Sequence, residues 1–298
     1  MNFQFFKNNY GSQIVYLLLL SFVGTIIFST LSIVISTAIY GVSIDEIQET
    51  SRLLAHKNAR QILFLMIISQ TFGMIILPIL VFTQTVFESP KKDLKLTIKF
   101  HPIFLYTILF FSLSGIIIVG FLGEINMKIP LPNWAGEVEK EVNNTIEFIL
   151  SPEGNLSFLF NVILLAIIPA IGEELFFRGI LQKLFTKTVK SKFVAILITA
   201  AIFSAFHFQF QTFLPRFFMG IMLGYLFLWS GSLFVPIIAH FLHNFISVWI
   251  TKMSVLQELN IETEETNYVV LLISVFVFGG LSYWYYNIYK KNKELNFA

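Results

Sequence analysis

GNLSFLFNVILLAIIPAIGEELFFR, residues 154–178, decides how this chain is read. From Gly154 to Gly172 there is no charge, and then Glu173, Glu174 and Arg178 follow within one helical run. An uncharged apolar run of this length is a candidate membrane helix. Ionisable residues at the end of such a run are expensive to hold in lipid, so they are a functional hypothesis whose partners must be found. Glu174 and Arg178 are spaced i, i+4 with the acid first, the favoured order for pairing on one helix face. Glu173 is turned by roughly 100° from Glu174 and is free to point elsewhere.

The rest of the chain agrees with a membrane setting. Of 298 residues, 56% are hydrophobic and 13% charged, against roughly 25% charged in ordinary globular domains. The mean hydropathy is +0.75. A soluble fold with so few charges would expose apolar surface and aggregate. The net charge of +2 is too small to suggest a nucleic-acid partner. The absence of cysteine removes disulfides, thiolate nucleophiles, thiolate metal sites and S-acylation.

Gaps between charges divide the chain into about eight spans, at roughly 14–40, 62–87, 102–123, 155–184, 193–211, 216–229, 233–250 and 267–289. The long uncharged stretch 217–251 is split at Ser230-Gly231-Ser232, ahead of Pro236. That leaves a short sixth span. The first span is too long and its basic flank, Lys7, too thin for a cleavable signal peptide. The expected fold class is therefore all-α, a polytopic membrane protein. Its expected parts are a three-helix region with an acidic outer loop (1–153), a catalytic membrane core (154–250), and a last span with a basic tail (251–298). With the N-terminus inside, thirteen Lys and Arg residues fall on the inner side, from Lys7 to Lys293. Seven, including Arg60 and Arg216, fall outside. The positive-inside rule then gives both termini on the inner side. The segment from Glu124 to Glu153, with Glu137, Glu139, Glu141 and Glu147, reads as a solvated acidic loop, with a short amphipathic helix as the alternative.

Polar residues that could meet Glu173 are few. His207 comes 15 residues after the basic turn at 187–192, and Glu173 comes 14 residues before it. At about 1.5 Å per residue both lie roughly 21–23 Å from the turn, at matching depth in an antiparallel hairpin. His240 and Asn244 are i, i+4 on one face of the seventh span. Pro169, four residues before Glu173, predicts a bend or local opening of that helix.

These residues form three motifs. Glu173-Glu174-Leu175-Phe176-Phe177-Arg178 has the form EExxxR, Phe203 to His207 the form FxxxH, and His240 to Asn244 the form HxxxN. In this order and on successive membrane segments, they resemble the CAAX protease and bacteriocin-processing family of intramembrane glutamic endopeptidases. The resemblance covers roughly Leu156 to Ile250. It implies a hydrolytic site in which Glu173, with His207, activates water, a role suited to a desolvated carboxylate. His240 and Asn244 would donate hydrogen bonds to the oxyanion, and Glu174 with Arg178 would orient the site. It implies no cofactor, and as partners a peptide or protein substrate at the membrane together with the lipid bilayer. A bacterial plasma membrane is the expected location.

Each residue also has a plainer reading. Asn244 could bridge two helices, His207 or His240 could be satisfied core histidines, and the Glu174–Arg178 pair could be structural. His243, at a variable motif position, reads as packing. Three other functions compete. A zinc protease would use Glu173, His207 and His240 as ligands, but HExxH is absent and Arg178 occupies Glu174. A proton-coupled transporter would use the buried acids, without accounting for the two histidine motifs. A membrane binding or bacteriocin-immunity protein without turnover is the remaining alternative.

Overall fold

In lipid every backbone N–H and C=O must be satisfied within the protein, so long apolar runs become helices. The computed structural model describes residues 9–151, 155–256 and 266–295. In chain order its main helices are α1 (Tyr10–Tyr40), α2 (Ala59–Val86), α3 (Ile103–Met127), α4 (Asn133–Leu150), α5 (Phe158–Val189), α6 (Lys192–Ala205), α7 (Phe213–Ser230), α8 (Phe234–Met253) and α9 (Tyr268–Asn292). Seven of them are long and apolar enough to cross a membrane, and α6 is a shorter apolar helix of 14 residues. No strand occurs among the described residues. The chain is an all-α, multi-pass membrane protein. Lys7 and Glu153 lie outside the described residues, as does the side chain of Lys293.

The fifth span is shorter than its hydropathy predicts. The uncharged stretch continues past residue 205, yet the chain leaves the helix there and turns at Phe208, whose φ of 52° is left-handed. No proline or glycine marks this turn. The sixth span, expected to be the shortest, is an 18-residue helix. It ends where the Ser-Gly-Ser break predicts, at Gly231 with φ 68°.

Two of the long helices widen just before a proline. π-Helical turns occupy Phe72–Ile76 ahead of Pro78 and Ile163–Ile167 ahead of Pro169. Proline lacks an N–H and its ring crowds the carbonyl one turn back; a π-turn absorbs both defects without breaking the span. The expected opening near Pro169 thus takes the form of a π-turn. A third π-helical stretch, Glu174–Leu181, has no proline behind it.

Small residues set how closely the helices approach. A Cβ built on Gly24 of α1 would lie 2.2 Å from the Gly73 carbonyl oxygen, and one on Gly73 would lie 2.3 Å from that of Gly24. The two backbones touch there, as small residues permit in membranes. Gly73→Leu is expected to lower detergent melting temperature and yield, by about 1–3 kcal/mol of overpacking or more. Gly120→Leu is the matched control, since a Cβ there meets nothing within 4 Å. Equal melting curves for the two variants would refute this contact.

The loops sort onto two ends of the bundle. At one end Lys183 donates to Asp93 O, Ser232 to Thr97 O, and Leu233 N to Lys95 O. At the other, Asn126 donates to Phe210 O and accepts from Leu214 N, at 2.8 Å each. The acidic segment belongs to this second end, and it is an 18-residue helix, α4, with Glu139 buried. Glu139 Oε1 accepts from Gln211 N at 2.9 Å. Arg60 donates to Ile149 O at 2.6 Å, Phe148 O at 3.1 Å and Ser151 Oγ at 3.0 Å. A cation on the last carbonyls complements the negative end of the helix. Ile146 and Leu150 of α4 reach the wall of the main cavity described next.

Candidate active site

Glu173 is the last residue of an α-helical segment and Glu174 the first of the π-helical one. Single π-turns inside α-helices are frequent at functional sites. Here the change of winding falls between the two acids. Glu174 and Arg178 are both fully buried, with Arg178 Nη1 2.7 Å from Glu174 Oε1. Arg178 Nη2 donates to Gly220 O of α7 at 3.0 Å, and its guanidinium lies 4.8 Å over the Phe203 ring of α6. One side chain therefore ties α5 to α6 and α7. The approach to α7 is tight, since a Cβ on Gly220 would lie 2.8 Å from Ala200 Cβ.

Glu174 Oε1 has a second donor. His240 Nδ1 of α8 lies 2.9 Å away, and His240 is buried to 1% exposure. With Nδ1–H committed to that carboxylate, Nε2 faces Glu173 Oε2 at 3.8 Å. This is beyond a direct hydrogen bond. Nε2 can donate only when the ring is an imidazolium, because a neutral imidazole carries one N–H. The Glu174–Arg178 pair is thus part of a chain of contacts, Arg178–Glu174–His240–Glu173.

His207 lies two residues beyond α6. Its Nδ1 is 2.9 Å from Phe203 O. A carbonyl only accepts, so Nδ1 carries the proton and Nε2 keeps the basic lone pair. The Phe203 ring packs edge-on against both imidazoles, with centroids 5.2 Å from His207 and 5.9 Å from His240. Phe203 thus supports Arg178, His207 and His240 at once.

Glu173, His207, His240 and Asn244 line a single cavity of about 420 Å³. A second cavity of about 250 Å³ is lined by Thr71, Phe177, Glu173 and His207. Thr71, Glu173 and His207 line both, so the acid and the histidine stand between two spaces. Among the described residues no three His, Asp or Glu side chains converge as a metal-holding group.

Three further residues line the main cavity. His243, which reads as packing in the sequence, is on its wall, and its buried Nδ1 has no partner among the described residues. Its i+3 spacing from His240 is the signal that was there to be used. Arg216, counted on the outer side at the start of the sixth span, lies in the first turn of α7 and also lines the cavity. Thr71 comes from α2, and nothing in its sequence neighbourhood marks it.

The comparisons with known proteins fall on this part of the chain. Residues 155–246 match the family described as type II CAAX prenyl endopeptidase Rce1-like. Over 86 residues the chain is 33% identical to the uncharacterized protein YpbD of Bacillus subtilis (strain 168), covering 28% of this chain and 41% of that relative. The match thus spans about two fifths of the relative's length. No solved structure matches the chain. The family segment runs from α5 to α8 and holds all seven defining residues of the three motifs. Over this segment, residues 155–246, the chain is similar to the Rce1-like family.

Proposed function

We propose that the chain is an intramembrane endopeptidase that cleaves a protein substrate at the membrane by attack of water on the scissile carbonyl. The observation that carries this reading is the gathering of Glu173, His207, His240 and Asn244 around one cavity inside the bundle. The family match supports protease activity in general.

Glu173 takes a proton from water as that water attacks, and His207 Nε2 accepts the water's second hydrogen bond, the role its tautomer leaves open. Asn244 and His240 donate to the oxyanion. Because Nδ1–H of His240 is held by Glu174, it is the imidazolium that donates from Nε2. The proton on Glu173 passes to the departing amine, which returns the carboxylate. The bacterial relative YpbD supports a bacterial plasma membrane as the location.

The test is a comparison of membrane proteomes from cells carrying the wild-type chain or Glu173→Gln. Intact precursors should accumulate in the variant, with the matching fragments found only in the wild type. Identical proteomes, with a fold-dependent phenotype that survives Glu173→Gln, would overturn the enzyme reading in favour of a non-catalytic binding or bacteriocin-immunity role.

A further inference from the structure

Arg216 occupies the first turn of α7, the positive end of that helix, where a cation is disfavoured. It is also a charge within a membrane helix, and such charges face a functional cavity or a partner. Arg216 faces the 420 Å³ cavity together with Glu173, His240 and Asn244. Its guanidinium donates from Nη1 to Thr212 Oγ1 and from Nη2 to Gln209 Oε1, both neutral oxygens. Among the described residues it forms no ion pair with a carboxylate. Glu139, brought to this end of the bundle by α4, accepts at Oε1 from Gln211 N.

The neutral partners hold the guanidinium in place, and the carboxylates of Glu173 and Glu139 act on it electrostatically without a direct ion pair. Gln209 is itself buried, at 8% exposure. His243 adds a second group to the same wall, its buried Nδ1 without a partner among the described residues. A fixed, half-buried guanidinium with donors to spare is a receptor for a planar anion.

We propose that Arg216 is an anion subsite of the substrate cleft. It takes a carboxylate of the peptide, from the chain terminus or from an acidic side chain, and so fixes which peptide bond reaches Glu173. This rests on the reading of the cavity as a peptide-cleaving site. Arg216 is then a specificity-determining residue, and no proton passes through it.

The test uses the full-length chain in detergent micelles with three N-terminally blocked random peptide libraries. One ends in a carboxylate and holds no acidic residue, one is amidated with a single Glu at varied positions, and one is amidated and free of acids. Cleavage is mapped by mass spectrometry, and retention on the immobilised protein is read in parallel. The wild type should cleave and retain at least one carboxylate library about tenfold better than the neutral one, the scale of a charge-assisted contact. The bond cut should lie at a constant distance from the carboxylate, and the preferred library identifies its source. Arg216→Gln should raise KM for those peptides about tenfold, with kcat changed much less, and lose the preference. Arg216→Lys should keep part of it. Melting curves of both variants report folding, and the lysine variant carries the test if the glutamine variant does not fold.

Equal cleavage of all libraries by the wild type overturns the proposal and leaves the peptidase reading intact. So does an Arg216→Gln variant that loses kcat uniformly on every library, since that places Arg216 with Glu173 in the chemistry. Carboxylate-dependent retention through Arg216 without cleavage supports the subsite and overturns the peptidase reading. Absence of both cleavage and selective retention overturns both.

Discussion

Glu173→Gln is expected to lower peptide hydrolysis by roughly 10²–10⁴-fold, the usual contribution of a general base, while the protein keeps its melting temperature. The substitution preserves shape and removes only the capacity to take the proton from water. Glu173 lines both cavities and its contact to His240 Nε2 is a loose 3.8 Å, so little packing depends on its charge. His207→Ala should cost nearly as much, and the double variant little more than either, because groups that act as a unit do not contribute additively. Asn244→Ala should cost about 10²-fold, as loss of one oxyanion donor does. Chelators should leave activity unchanged, and elemental analysis of the purified protein should show no stoichiometric zinc. Inactivation by a chelator with recovery on adding zinc would instead make Glu173, His207 and His240 metal ligands, and the glutamate mechanism would fall.

The sequence carried much of this because a membrane narrows the choices. Where water is absent, an uncharged run has helix as its main outcome, so the spans could be read from the gaps between charges. The same constraint makes any buried acid or base conspicuous, which is why Glu173, Glu174, Arg178, His207, His240 and Asn244 stand out. The structure brings Glu173, His207, His240 and Asn244 to one cavity. What escaped the reading has physical reasons. The turn at Phe208 needs a left-handed residue, and phenylalanine gives no sign of adopting one. The π-helical stretch at Glu174–Leu181 meets α6, α7 and α8 through Arg178 and Glu174, contacts that local sequence does not encode. The acidic segment is anchored by Glu139 and Arg60, whose partners lie far along the chain. Arg216 marks the start of the sixth span in hydropathy terms, which does not reveal that its side chain also lines the cavity.

Arg178→Ala should be the most damaging substitution for stability. It breaks a fully buried ion pair by removing one partner, a loss on the order of 3–5 kcal/mol. It also removes the bond to Gly220 O and the contact with Phe203, and frees His240 from a carboxylate whose position Arg178 sets. The expected result is a low yield and a depressed melting temperature in detergent. Activity alone cannot assign the cause, because an unfolded enzyme is also inactive. The informative variant is Glu174→Leu with Arg178→Met. Replacing a whole buried pair by apolar groups of similar size is often neutral or stabilising, so this double variant should melt near the wild-type temperature. It should remain inactive, because His240 then has no carboxylate on Nδ1 to hold its ring and stabilise the imidazolium. Stability regained without activity identifies the pair as what positions His240. A double variant that regains both would reduce Glu174 and Arg178 to a packing element, and a single Arg178→Ala variant with normal stability and no activity would place Arg178 against the substrate itself.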